Sequence, residues 1–112
     1  MLETVLGHRI ADTTIVVFDL ETTGFSPRSG DEIVEIGAIK VHGNEVISEF
    51  HSMINPLRPI SDGASAVNGI THYMVQDAPL IEEILPDFVE FIDDAPLVAH
   101  NANFDLPFLA WK

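Results

Sequence analysis

Cysteine is absent from this sequence of 112 residues, which excludes disulfide bonds, thiolate metal sites and cysteine nucleophiles. Basic residues are scarce: five lysines and arginines stand against 18 acids, giving a formal net charge of −13. A protein of this charge repels phosphate backbones at long range, so binding to nucleic acid would require a specific local feature that overcomes the repulsion. No apolar run approaches the ~20 residues of a membrane span, and residues 1–14 lack the apolar stretch of a signal peptide. We therefore expect a cytoplasmic protein that makes no membrane contact.

The chain has no internal repeat, low-complexity segment or domain linker, and its length suits a single α/β domain. Apolar runs predict strands at 15–20 and 32–42, and the Gly43–Asn44 pair predicts a hairpin that leads into a return strand at 45–54. A short apolar run at 96–100 predicts a fourth strand. Because a connection of about 40 residues containing a helix precedes it, we expect this strand to lie parallel to the first.

Helices are predicted between the third and fourth strands. The polar residues at 61–62 are positioned to cap a short helix, which Gly69 would end, and Thr71 is positioned to cap another short helical piece before Asp77. From 79 to 93, apolar residues recur at helical spacing opposite acidic ones, with Pro86 inside the pattern. We expect this helix to cross one sheet face and a final helix to begin within 101–105. The predicted core residues are Val16, Phe18, Ile36, Leu85, Phe88, Ile92 and Val98.

Two acids, Asp19 and Glu21, end the first predicted strand. Residues two apart on a strand face the same side, so both carboxylates project together. Removing two adjacent negative charges from water is costly without a partner, and no lysine or arginine lies within six residues of the pair. A hard divalent cation, Mg²⁺ or Mn²⁺, would neutralise them. The alternative is two solvent-exposed acids at a strand end, and the strand pattern leaves both interpretations open.

A second acidic motif, His-Asn-Ala-Asn-Phe-Asp at 100–105, follows the predicted fourth strand. Asp105 would lie near the start of the last helix, at the same sheet edge as the end of the first strand. Ligand sites in open α/β sheets gather at such carboxyl ends. The alternative is that Asn101 or Asn103 caps the helix and Asp105 only complements its dipole.

These motifs carry a family resemblance. Residues 18–24, Phe-Asp-Leu-Glu-Thr-Thr-Gly, resemble the first motif of the DEDD 3′–5′ exonucleases, and residues 100–105 resemble the second. Between them, 31–38 is similar to the family's second strand, and 68–71 with 77–79 to its helical middle. The resemblance covers nearly the whole chain in order and is closest to PolC-type or epsilon-like proofreading domains. It implies a DnaQ-like, ribonuclease-H-like fold: a mixed sheet with an N-terminal antiparallel meander and a parallel fourth strand.

The resemblance also implies a mechanism and a site. Asp19, Glu21 and Asp105 would be the catalytic metal ligands for two divalent cations, Mg²⁺ or Mn²⁺, in the hydrolysis of phosphodiesters at a single-stranded DNA 3′ end. RNA is an alternative substrate. The expected partner is a DNA polymerase subunit or a fused polymerase domain, for which the nuclease would proofread. Many relatives have histidine in place of Asn68. The residues implied to bind the terminal nucleotide are Thr22, Thr23, Gly24, Val67, Asn68, Asn101 and Phe104.

The sequence departs from the family pattern in one respect. The third family motif, a histidine or tyrosine a few residues before a fourth aspartate, has no counterpart between Asp105 and Lys112. We therefore expect residues 1–112 to be the N-terminal two-thirds of an exonuclease domain, without the third-motif region. The truncated flank is then expected to leave Trp111 and neighbouring apolar residues poorly buried and to favour self-association.

Other interpretations are compatible with parts of this sequence pattern. The chain is alternatively an inactive fragment, or a module that binds nucleic acid or a polymerase through a partial metal site. A more remote alternative is a haloacid-dehalogenase-like phosphatase, which also begins with an apolar strand and a carboxylate pair. That family requires aspartate where Glu21 stands and a lysine to balance a phosphoaspartate. Lys40 and Lys112 are the only lysines, and neither follows a fitting strand.

Overall fold

The computed structural model describes residues 13–24 and 26–99, which form one four-stranded mixed sheet with the strand order β3-β2-β1-β4. The first three strands are an antiparallel meander, and the fourth returns parallel to the first. Gly43, with a φ of 63°, makes the predicted tight turn between the second and third strands. The predicted mixed sheet is therefore confirmed. The strands are β1 (Thr14–Thr22), β2 (Ile33–His42), β3 (Glu45–Met53) and β4 (Leu97–Ala99).

Three helices connect β3 to β4, as the sequence predicts. The Ser61 hydroxyl oxygen accepts a hydrogen bond from the Ala64 N–H at 3.0 Å and so caps the first helix. Gly69 ends that helix in the left-handed conformation, with a φ of 72°. The loop between β1 and β2 contains a single 3₁₀ turn, Pro27–Ser29. The helices are α1 (Asp62–Asn68), α2 (His72–Val75) and α3 (Ile81–Ile92).

The main core lies between α3 and one face of the sheet. Phe88 is almost fully buried there, with its ring centroid 6.2 Å from that of Phe18 and 5.3 Å from that of Phe50. Of the predicted core residues, Val16, Phe18, Ile36 and Phe88 are buried in this cluster, and Ile92 packs against it.

Two predicted core residues are placed wrongly by the sequence analysis. Leu85 is half-buried and lies outside the cluster, because the side of α3 that meets the sheet is centred on Phe88. Val98 is also half-buried. It pairs with Val17, whose side chain alternates away from α3, so Val98 belongs to the opposite sheet face.

Within residues 13–24 and 26–99, no helix is both long enough and apolar enough to cross a membrane. The predicted final helix lies outside these residues, as do Asn101, Phe104 and Asp105.

Candidate active site

The alternation of β1 places Asp19 and Glu21 on the sheet face opposite α3. Val16, Phe18 and Leu20 are buried under the helix, so the residues between them point to the other side. Asp19 is exposed and Glu21 is half-buried. The prediction that both acids share one face is therefore confirmed.

The surroundings of Asp19 are open. Its Cα partner on β2 is Gly37, and a Cβ atom added there would meet nothing within 4 Å. Asp19 and Gly37 line a cleft of about 460 Å³ together with His51 of β3. Within the described part of the chain, the Asp19 carboxylate makes no hydrogen bond or ion pair. An exposed carboxylate facing open space is thus available to an external ligand.

A third acid, which the sequence analysis missed, lies beside this pair. Glu35 is the Cα partner of Glu21 across the β1–β2 ladder. Its carboxylate is hydrogen-bonded to His51, at 2.5 Å between Oε2 and Nε2. Like charges directly opposite on neighbouring strands are destabilising unless they are compensated. His51 gives the Glu35 carboxylate a hydrogen-bond partner on this face.

The donor set suits a hard divalent cation, because carboxylate oxygens are the ligands that Mg²⁺ and Mn²⁺ prefer. Asp19 and Glu21 supply two such groups on one face. In the described ranges, no three acidic or histidine side chains come together closely enough to form a complete metal site. The third predicted ligand, Asp105, lies outside those ranges.

Lys40 is the only lysine among the described residues, and it does not lie near these acids, as a phosphatase of the haloacid-dehalogenase type would need. Lys40 is the Cα partner of Val16, on the face covered by α3. Its ammonium group lies 4.9 Å from the centroid of the Phe91 ring. Lys40 and Asp19 are therefore on opposite sides of the sheet, so Lys40 does not support this alternative.

The loop after β1 is held by its own threonines, both of which are buried. The Thr22 hydroxyl donates to the Gly24 carbonyl at 2.5 Å. The Thr23 hydroxyl donates to Asp31 Oδ1 at 3.0 Å and accepts from the Glu32 N–H at 3.0 Å. Residues 22–24 thus have a fixed backbone shape directly after the acid pair.

Helix α1 is joined to this loop through Asn68. The Asn68 amide donates to the Thr22 carbonyl at 3.2 Å, and its Oδ1 accepts from the Ile70 N–H at 2.9 Å. The neighbouring Val67 is 77% exposed. The structure therefore brings Asn68, which is distant in sequence, against the loop that follows Glu21.

Comparison with known proteins identifies relatives of most of the chain. The family model RNase_T, described as exonuclease, matches residues 16–112. The chain is 50% identical over 98 residues to the DNA polymerase III PolC-type protein of Thermotoga maritima, and 48% identical over 104 residues to that of Bacillus subtilis. These alignments cover 88% and 92% of the chain, but only 7% of each relative. A DNA polymerase III subunit epsilon-like protein of Rhodobacter capsulatus is 52% identical over 101 residues, which is 88% of the chain and 14% of the relative.

Solved structures share the fold. Exonuclease X in complex with 5′ overhanging duplex DNA matches with a TM-score of 0.69 and 33% identity, over 84% of this chain and 52% of that one. The nuclease domain of 3′hExo, a DEDDh family member bound to rAMP, matches with a TM-score of 0.75 over 89% of this chain and 57% of that one. At 20% identity, the second match supports the fold alone.

Proposed function

The chain belongs to the exonuclease family, and from that premise we propose that it forms part of a 3′–5′ exonuclease that removes nucleotides from single-stranded DNA ends. The observation that carries this proposal is the acid pair of β1. Asp19 and Glu21 lie on one sheet face beside open space, at the carboxyl end of a strand whose parallel neighbour is β4. Binding sites of open α/β sheets are found at such ends.

We further propose that two divalent ions, Mg²⁺ or Mn²⁺, are held by Asp19 and Glu21 together with Asp105. Bound ions of this kind supply Lewis acidity toward the phosphodiester. The ions also reduce the repulsion between this acidic chain and a phosphate, since two divalent ions change the formal net charge from −13 to −13 + 4 = −9. Their positive charge is concentrated where the phosphate must approach. His51 contributes to this face by its hydrogen bond to the Glu35 carboxylate.

The terminal nucleotide is proposed to lie against the loop at 22–24 and the end of α1. The hydrogen bond from Asn68 to the Thr22 carbonyl joins these two segments into one surface. The exposed side chain of Val67 offers an apolar contact for a base beside it. Asn101 and Phe104 are proposed to complete this subsite.

The proposed biological role is proofreading for a DNA polymerase in the cytoplasm. The support is the identity of about 50% to PolC-type and epsilon-like proteins across nearly all of this chain. The chain spans 7–14% of those relatives, so the polymerase is proposed either as another part of the same polypeptide or as a separate subunit.

A time course with a 5′-labelled single-stranded oligonucleotide tests the function in the full-length protein. With Mg²⁺ or Mn²⁺, we expect a ladder that shortens by one nucleotide at a time from the 3′ end and that EDTA abolishes. The Asp19→Asn variant should lose this ladder, whereas Glu90→Gln, which changes an exposed acid of α3 on the opposite side of the sheet, should retain it. Internal cuts, or a ladder insensitive to EDTA, would contradict the proposal. Binding of the oligonucleotide without any cleavage would favour the binding-module alternative.

A further inference from the structure

Asp31 lies underneath the loop that follows β1, and both of its carboxylate oxygens contact that loop. Oδ1 accepts from the Thr23 hydroxyl at 3.0 Å, and Oδ2 accepts from the Ser26 N–H at 3.1 Å. The Asp31 N–H in turn donates to the Ser26 carbonyl at 3.1 Å. The side chain of Asp31 is only 18% exposed. These bonds hold Thr23 and Ser26 together around one carboxylate.

Gly24 is shaped by the same carboxylate. A Cβ atom added at Gly24 would lie 2.5 Å from the carboxyl carbon of Asp31, closer than such atoms can approach. The described glycines with positive φ are Gly30, Gly43 and Gly69, so Gly24 is not required for an unusual backbone conformation. Its function is to let the Asp31 carboxylate approach the loop backbone.

Arg58 secures the far end of the loop. Its Nη1 donates to the Gly30 carbonyl, and its Nη2 lies 3.7 Å from Asp31 Oδ1. The segment that leads to α1 is thereby joined to the β1–β2 loop. The Ser61 N–H makes a second connection, to the Thr23 carbonyl at 2.9 Å.

We propose that Asp31 is a positioning residue that holds residues 22–24 and Ser26 in the arrangement that receives the terminal nucleotide. This inference rests on the proposed function, because it assigns that loop to the nucleotide. Asp31 is not a catalytic residue in this account, since both carboxylate oxygens are directed at the loop rather than at the face that carries Asp19. Its loss should therefore weaken substrate binding rather than slow the chemical step.

A double-mutant cycle tests the packing part of the inference without reference to activity. Gly24→Ala should lower the urea midpoint of unfolding in the presence of Asp31, because the new methyl group collides with the carboxylate. In the Asp31→Ala background the same substitution should lower the midpoint by less than half as much. Equal shifts in the two backgrounds would overturn the contact.

Kinetics and binding in the full-length protein test the functional part. For a single-stranded oligonucleotide, Asp31→Ala should raise KM at least tenfold while kcat stays within threefold of the wild-type value. Asp31→Asn, which keeps one acceptor oxygen, should give an intermediate KM. Asp87→Ala, an exposed acid of α3, is the matched control and should leave both constants unchanged.

The outcomes separate this inference from the proposed function. A wild-type KM in an active Asp31→Ala variant, or a large loss of kcat alone, would overturn the positioning role and leave the exonuclease assignment intact. If the wild-type protein binds the oligonucleotide but does not cleave it, the proposed function fails. The inference is then decided by the dissociation constant measured by fluorescence anisotropy, which Asp31→Ala should raise at least tenfold. An unchanged dissociation constant would refute it.

Discussion

Truncation of Phe88 to alanine should destabilise the fold more than any other single truncation in α3. Phe88 is 1% exposed, and its ring contacts Phe18 in an edge-on arrangement with an interplanar angle of 62°. A second aromatic contact, to Phe50, has a centroid distance of 5.3 Å. Removal of the ring loses its transfer free energy and leaves a cavity between the helix and the sheet. The expected cost is about 3–5 kcal/mol, which includes the aromatic contacts.

This loss is a large share of the 5–15 kcal/mol typical of a domain's stability, so it is easily measured. The assay is equilibrium urea unfolding followed by far-ultraviolet circular dichroism. Val89→Ala is the matched control, because Val89 is the next residue of α3 and is 62% exposed. Its change should stay within about 0.5 kcal/mol. A loss below about 1 kcal/mol for Phe88→Ala, or equal losses for both variants, would refute the placement of α3 on the sheet.

Two further predictions concern the helices. Ser61→Ala should lower the free energy of unfolding in urea by about 1 kcal/mol, because it removes the hydroxyl oxygen that accepts from the Ala64 N–H. Ser48→Ala, at an exposed position of β3, is the control and should leave the free energy of unfolding unchanged. An unchanged midpoint for Ser61→Ala would show that the cap contributes nothing. Pro86→Ala should raise the free energy of unfolding by about 1–3 kcal/mol, because alanine restores the backbone donor to the Glu82 carbonyl inside α3. A lowered midpoint would mean that the helix is built around the proline ring.

Elements with strong local signals could be predicted from the sequence. The turn at Gly43–Asn44 follows from the two-residue hairpin pattern, and the end of α1 at Gly69 follows from the left-handed conformation that glycine favours. The shared face of Asp19 and Glu21 follows from the period of a strand. These features depend on neighbouring residues alone.

Residues whose role depends on contacts between distant segments were not predictable. Glu35 and His51 join the acidic face only through the register of β1, β2 and β3, which includes a shift between Glu21 and Thr22. The proposed role of Asp31 depends on the loop that folds around its carboxylate. Gly24 is the one residue in the sequence that could have indicated a close approach to the loop backbone. The mistaken core assignment of Leu85 has the same origin, since helical spacing gives an apolar side but not the exact line of contact with the sheet.

The central claim is that the acids of β1 hold divalent metal ions. Titration of the full-length protein with Mn²⁺, with free Mn²⁺ measured by electron paramagnetic resonance, tests it most directly. Glu90→Gln removes an exposed acid from α3, on the opposite side of the sheet, and is the matched control. We predict that Asp19→Asn and Glu21→Gln each weaken Mn²⁺ binding at least tenfold, while Glu90→Gln binds within twofold of the wild type. Equal binding by the wild type and the Asp19→Asn variant would contradict the account.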